Sequence, residues 1–217
     1  MWKEIRALIL KDIKLEWRQR YAFSGILLYL AATIFLVYIS FIEMEPVVWV
    51  TLFWIILLFT AVNAVAKSFM QESRGRMFYY YSLSHPRAVI LAKLIYNSGM
   101  MLLLAVVGMI LYMLVNKSPI SQVPYFISVV LLGSVSFGLA FTMMSAIAAK
   151  ANQSVALMAI LSLPFIIPVL LLLIKLTQTA LLNHIEFYPF RDFVLLFSLD
   201  MIMVVMAVLL FPYLWRE

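Results

Sequence analysis

Long apolar runs separated by short charged connections organise this chain. The runs cover 21–42, 46–66, 94–115, 124–149, 154–174 and 193–215, and only the last holds a charge, Asp200. Each reaches the ~20 residues that a helix needs to cross a bilayer, and the longest has to tilt or overhang. Strands of a membrane barrel would alternate in polarity over ~10 residues, a pattern not found in these runs. The pattern predicts an all-α integral membrane fold of six transmembrane helices in one domain over 1–217. The first run is too long for a signal-peptide core and lacks a small-residue cleavage pattern, so it is expected to stay as a span.

Residues 1–20 read differently. Charged side chains from Lys3 to Arg20 alternate with Trp2, Ile5, Ile9, Ile13 and Trp17, which recur at spacings of three and four and make one helical stripe. Leu10 and Leu15 fall off it. A cationic helix with Trp at both ends of its apolar face suits the membrane surface, and the plainer reading is a solvated tail that fixes orientation.

Composition supports the span count. Apolar residues make up 66% and charged ones 12%, with a mean hydropathy of +1.06, against roughly a quarter charged in soluble domains. The six spans leave no room for a folded extramembrane enzyme domain. Six crossings place both termini on one side. Of 16 Lys and Arg, only Lys117, Lys175 and Arg191 fall on the other. Cytoplasmic loops collect positive charge, so both termini are expected in the cytoplasm. The same spread explains the net charge of +6 without nucleic acid, since the basic residues form no single patch.

Two connections exceed a simple turn. The cytoplasmic loop 67–93 carries five basic residues, one acid (Glu72) and the aromatic run Phe78–Tyr81. A short helix before Gly75 and a second after Pro86, leading into the third span, fit its punctuation. Exposed aromatics beside basic residues make a protein docking surface, and the rival reading is an interfacial aromatic belt. On the outer side, 175–192 offers Leu176, Ala180, Leu181 and Ile185 as one face of a short amphipathic helix on or in the outer leaflet.

Catalytic chemistry is thin. With no cysteine, disulfides, thiolate metal sites and thiol catalysis are excluded. No phosphate-cradling Gly-rich loop ending in Gly-Lys-Ser/Thr occurs, nor His-Glu-x-x-His, nor Gly-x-Ser-x-Gly. His85 and His184 fall on opposite sides of the membrane and read as loop residues, although an outward His184 has the chemistry to ligate haem iron. Met143, Met144, Met201, Met203 and Met206 read as apolar filling. Asp200 is costly inside a span and needs partners, with Lys175 or Ser and Asn side chains as candidates; packing and translocation are the two roles open to it. In the fourth span the small pairs Ser134–Gly138, Ser136–Ala140 and Ser145–Ala149, with Gly133, allow close helix approach. In the fifth, Pro164 and Pro168 remove amide donors and are expected to kink or open the helix.

Taken together these residues resemble the haem exporter protein B family, the permease subunit of the ABC transporter for c-type cytochrome maturation. The resemblance covers nearly the whole chain. It is carried by Leu131–Leu173, where a Leu-Leu-Gly start, a small-residue helix, a polar turn and a Leu-Pro-x-x-x-Pro helix follow one another. It is also carried by the loop, from Phe69-x-x-Glu72 through Ser82-Leu83-Ser84-His85-Pro86 to Leu91-Ala92-Lys93. The family usually has Asp-Gly and then Leu-rich sequence there; this chain has Gly75-Arg76 and Phe78–Tyr81.

The resemblance implies an ABC exporter-type permease and not an enzyme, in the bacterial inner membrane. Phe69, Glu72, Arg74, Arg76, Phe78, Tyr79, Tyr80, Tyr81 and Pro86 would belong to a coupling loop for a cytoplasmic ATPase subunit. It further implies a homodimer, a haem-handling multi-span subunit and a small single-span subunit. Haem would be a ligand of the complex, with no cofactor assigned to this chain and ATP held by the partner. The complex would serve to release a haem-loaded periplasmic chaperone. The alternatives are an exporter permease for a polysaccharide, lipid or drug, then an integral-membrane lipid enzyme, then a purely structural anchor.

Overall fold

The structure is a computed structural model that describes residues 1–18, 20–41, 43–65, 85–151, 155–182 and 189–216. Among them are seven helices: α1 (Trp2–Arg18), α2 (Arg20–Ser40), α3 (Pro46–Val65), α4 (Pro86–Val115), α5 (Val123–Ala151), α6 (Val155–Thr179) and α7 (Phe190–Arg216). Helices α2 to α7 are each long and apolar enough to cross a membrane. The chain is an all-α, multi-pass membrane protein.

The bundle is built around α5. Of its apolar window 72% is buried inside the protein, against 17% for α2 and α7, and it packs against α3, α4, α6 and α7. Its small residues allow this crowding. A Cβ on Gly138 would stand 2.7 Å from the Cα of Ser98 on α4, and one on Gly133 would stand 2.5 Å from the Trp54 indole and 2.7 Å from Leu173. Helix backbones come this close only where a side chain is missing. The peripheral helices bury one stripe and turn the rest outward. On α2, Ile26, Leu30 and Ile34 are buried while Leu28, Phe35, Leu36 and Ile39 are exposed. Water would penalise that outer face; lipid tails do not.

Aromatic side chains fill the centre. Trp49 stacks on Phe53 at 6.1 Å and meets Tyr112 at 4.6 Å, while Trp54 meets Phe137 edge-on at 5.8 Å. Two of these rings have their polar atom paired across helices. Trp54 Nε1 donates to Thr177 Oγ1 at 2.9 Å, and the Tyr112 hydroxyl donates to the Trp49 carbonyl at 3.1 Å.

One expectation needs correction. Lys175 does not begin a separate outer helix, because α6 runs on through Thr179. Lys175, Leu176 and Thr177 are its final turns, and a turn follows at Ala180 and Leu181, whose carbonyls accept from Ser121 and Gln122. Ile185 lies outside the described residues. Pro164 and Pro168, where a kink or opening is expected, lie inside α6, which continues past both; both are exposed on the stripe with Ile160, Leu163, Ile167 and Leu171. Each ring removes one amide donor, but the neighbouring i to i+4 bonds carry the helix through. The helix expected after Pro86 leads into the third span without a break: α4 is one helix of 30 residues. At ~1.5 Å per residue it is about 45 Å long, so roughly ten residues overhang the hydrocarbon.

Candidate functional site

Two places gather the polar chemistry: the end of the bundle where α1 meets the start of α4, and the carboxylate of α7. The first begins with a helix start set by sequence. His85 is the N-cap of α4 in extended conformation and Pro86 follows at the first helical position, where its missing amide costs nothing. The His85 carbonyl accepts from the amides of Ala88 and Val89. Pro86 and His85 are the described residues nearest to the 67–84 connection. Phe69, Glu72, Arg74, Arg76, Phe78, Tyr79, Tyr80 and Tyr81, and the helix expected before Gly75, lie outside the described residues.

Helix α1 runs beside this start. Glu4 Oε2 accepts from the His85 amide at 3.5 Å, Ile5 packs on Ala88 and Ala92, and the Tyr96 hydroxyl donates to Glu16 Oε2 at 3.5 Å. The Met1 amine, 3.2 Å away, and then the His85 amide hold the Glu4 carboxyl below its ordinary range. Between them lies a buried ion pair: Lys93 Nζ is 3.2 Å from Asp12 Oδ2, and both side chains are under one-tenth exposed. Lys11 Nζ approaches the other oxygen of Asp12 at 3.1 Å.

This changes the reading of α1. The face turned inward is Ile5 and Asp12, flanked by Leu8 and Ile9, which are half-buried. Trp2 and Trp17 are 76% and 72% exposed, with Ile13 and Leu10 also outside. The expected stripe therefore splits, since Asp12 finds a cation on α4 and draws its own side of the helix inward. Asp12 and Lys93 were not singled out from the sequence. The available signal was an acid seven residues after Ile5, on the same helical side as a buried isoleucine.

The second place lies within the spans. Asp200 is buried, and its Oδ2 accepts from Ser136 Oγ on α5 at 2.9 Å. Asp200 Oδ1 has no hydrogen-bond partner among the described residues. Leu132, Phe193, Val194, Leu196 and Phe197 line a cavity of about 290 Å³ that includes Asp200. Lys175 is not its partner. Lys175 Nζ pairs with Asp192, 2.9 and 2.8 Å from its two oxygens, because Asp192 stands two helical turns closer to the end of α7. Gly133 and Gly138 stand on α5 on either side of Ser136, while Pro164 and Pro168 face outward on α6 and share no site with it. A further polar contact ties α4 to α5, where Asn97 Nδ2 donates to Thr142 Oγ1 at 2.9 Å. His184 lies outside the described residues.

The family model described as CcmB protein matches residues 3–214. The chain belongs to the CcmB family. The match reaches into every helix described above and covers Asp12, Lys93, Ser136 and Asp200. The CcmB family is that of haem exporter protein B, the permease of the haem exporter ABC system for c-type cytochrome maturation, which works with an ATPase subunit. A search of curated proteins gives no match to the chain.

Proposed function

We propose that the chain is the membrane-embedded, non-hydrolytic half of an ABC transporter for c-type cytochrome maturation, driven through residues 67–93 by a cytoplasmic ATPase. Family membership over 3–214 is the observation that carries this reading. Supporting it, one helix leaves the 67–84 connection at Pro86 and continues through Val115, so a push delivered there has a rigid path into the spans. The buried Asp12–Lys93 pair fastens α1 to the same helix, and α4 shares its longest seam with the central α5. A displacement of the loop would then move α1, α4 and α5 together as a rigid body.

In this reading both termini lie in the cytoplasm and the membrane is the bacterial inner membrane. Two copies assemble with two ATPase chains, a multi-span haem-handling subunit and a small single-span one. Haem is a substrate of that assembly, and the outcome is release of the haem-loaded periplasmic chaperone. The test replaces Phe78–Tyr81 with alanines, or Glu72 with Gln, in a cell that depends on this chain. The expected result is an inserted subunit that no longer co-purifies the ATPase, with loss of c-type cytochromes. Full maturation in those cells would show that the loop is not the point of coupling.

A further inference from the structure

We propose that the face of α1 formed by Ile13, Lys14, Trp17 and Arg18 binds the headgroup of an anionic phospholipid. The inference needs only that α2 crosses a bilayer and does not depend on what the transporter carries. Its first support is the division of labour around α1. The side bearing Ile5 and Asp12 is taken up by α4, which leaves Trp2, Leu10, Ile13 and Trp17 exposed. Apolar side chains in such a row mark a contact surface.

The second support is a shallow, open depression on that surface, lined by Ile13, Lys14, Trp17 and Arg18. Its cations differ from their neighbour: Lys11 is 3.1 Å from Asp12, whereas Lys14 and Arg18 have no ion pair or hydrogen bond among the described residues. The groove therefore combines two uncompensated positive charges with an indole and a branched aliphatic chain. A phosphodiester on a hydrocarbon tail matches both halves, with Arg18 presenting a planar fork and Lys14 a point charge.

Depth supplies the third. Arg18 closes α1 and α2 begins at Arg20, with the apolar window starting at Phe23. Residues 13–18 thus stand where the chain enters the hydrocarbon, at the level of the phosphates. Tyr21, 93% exposed, and Trp17 fall at the depth that amphipathic aromatics prefer. Charge complementarity then selects anionic lipid over zwitterionic lipid, and an acidic protein surface is the rival occupant.

The experiment uses the full chain in nanodiscs of phosphatidylcholine with or without phosphatidylglycerol, one of the two lipids brominated on its acyl chain. Trp17 quenching is isolated by subtracting the Trp17→Phe variant. Brominated phosphatidylglycerol is expected to quench Trp17 at least roughly five-fold more effectively per mole than brominated phosphatidylcholine, the factor that a single surface cation would give. Lys14→Gln with Arg18→Gln should abolish that preference, and these exposed positions leave the helix contacts intact. Lys3→Gln with Arg6→Gln removes equal charge from the first turns and should preserve it. Equal quenching by both lipids in the native chain overturns the proposal. So does a preference that survives the Lys14/Arg18 substitution, or one lost equally with Lys3 and Arg6. Protection of Trp17 by added ATPase subunit without any lipid preference would assign the face to a protein instead.

Discussion

A single missing methyl group decides how closely α4 and α5 approach. At Gly138 the neighbour is backbone: a Cβ would lie 2.7 Å from Ser98 Cα and 2.9 Å from its Oγ. Backbone cannot rotate out of the way as a side-chain tip can. Gly138→Ala is therefore expected to force the two helices apart and to cost about 1–3 kcal/mol, the usual range for overpacking. A lowered thermal transition of the detergent-purified protein is the check, and an unchanged transition would mean that the seam yields without strain. Asp200 poses a different question at the same scale. Its one hydrogen bond among the described residues, from Ser136, is one that an amide oxygen accepts equally well. Asp200→Asn is expected to leave both protein level and cytochrome maturation intact, as a packing role requires. Loss of maturation at normal protein level would instead make the ionisable group part of translocation.

Between helices, the ion pairs differ in what they hold and in how water reaches them. Asp12 and Lys93 are both buried, so removing Lys93 leaves the buried Asp12 carboxylate to the more exposed Lys11. Lys93→Met is expected to cost up to about 3–5 kcal/mol, less as far as Lys11 neutralises Asp12, while Asp12→Leu combined with Lys93→Met recovers most of it, because an apolar pair leaves no buried charge. Unfolding of the three variants measures both effects, and equal destabilisation by single and double changes would contradict the pairing. Lys175 with Asp192 ties α6 to α7 at the other end, but the Lys175 side chain is 66% exposed. Solvent screening limits it to about 1 kcal/mol or less, so Lys175→Gln is expected to shift the same transition only slightly. These two pairs also show where the sequence was legible. The spans could be read because twenty apolar residues in a row have few alternatives. The inward face of α1 could not, since a lone Asp on an apolar stripe looks like an imperfection until its cation, far along the chain, comes alongside. The partner of Asp200 was open for the same reason: Lys175 and Ser136 satisfy a carboxylate alike on paper, and only the helix register chooses Ser136. The continuation of α6 past Lys175 escaped because a lysine near the end of a span reads as its boundary.

For the molecule as a whole, everything said of coupling turns on which side of the bilayer carries the 67–93 connection. In the proposed topology an even number of crossings puts it on the side of both termini, and the excess of basic residues there is the ground for assigning that side to the cytoplasm. The chain contains no cysteine, so a thiol can be introduced at one position without removing others. Tyr80→Cys and Lys117→Cys sample opposite sides in this topology. In intact spheroplasts a membrane-impermeant maleimide is expected to label the Lys117 variant and to leave the Tyr80 variant unlabelled until the membrane is broken. Labelling of Tyr80→Cys before lysis would invert the bundle, carry residues 67–93 away from any cytoplasmic ATPase, and place the Lys14–Arg18 groove in the opposite leaflet. The lipid preference of that groove would survive such a reversal, because it depends on depth and charge alone. The coupling role would not, so the two measurements separate what this chain does at its surface from what drives it.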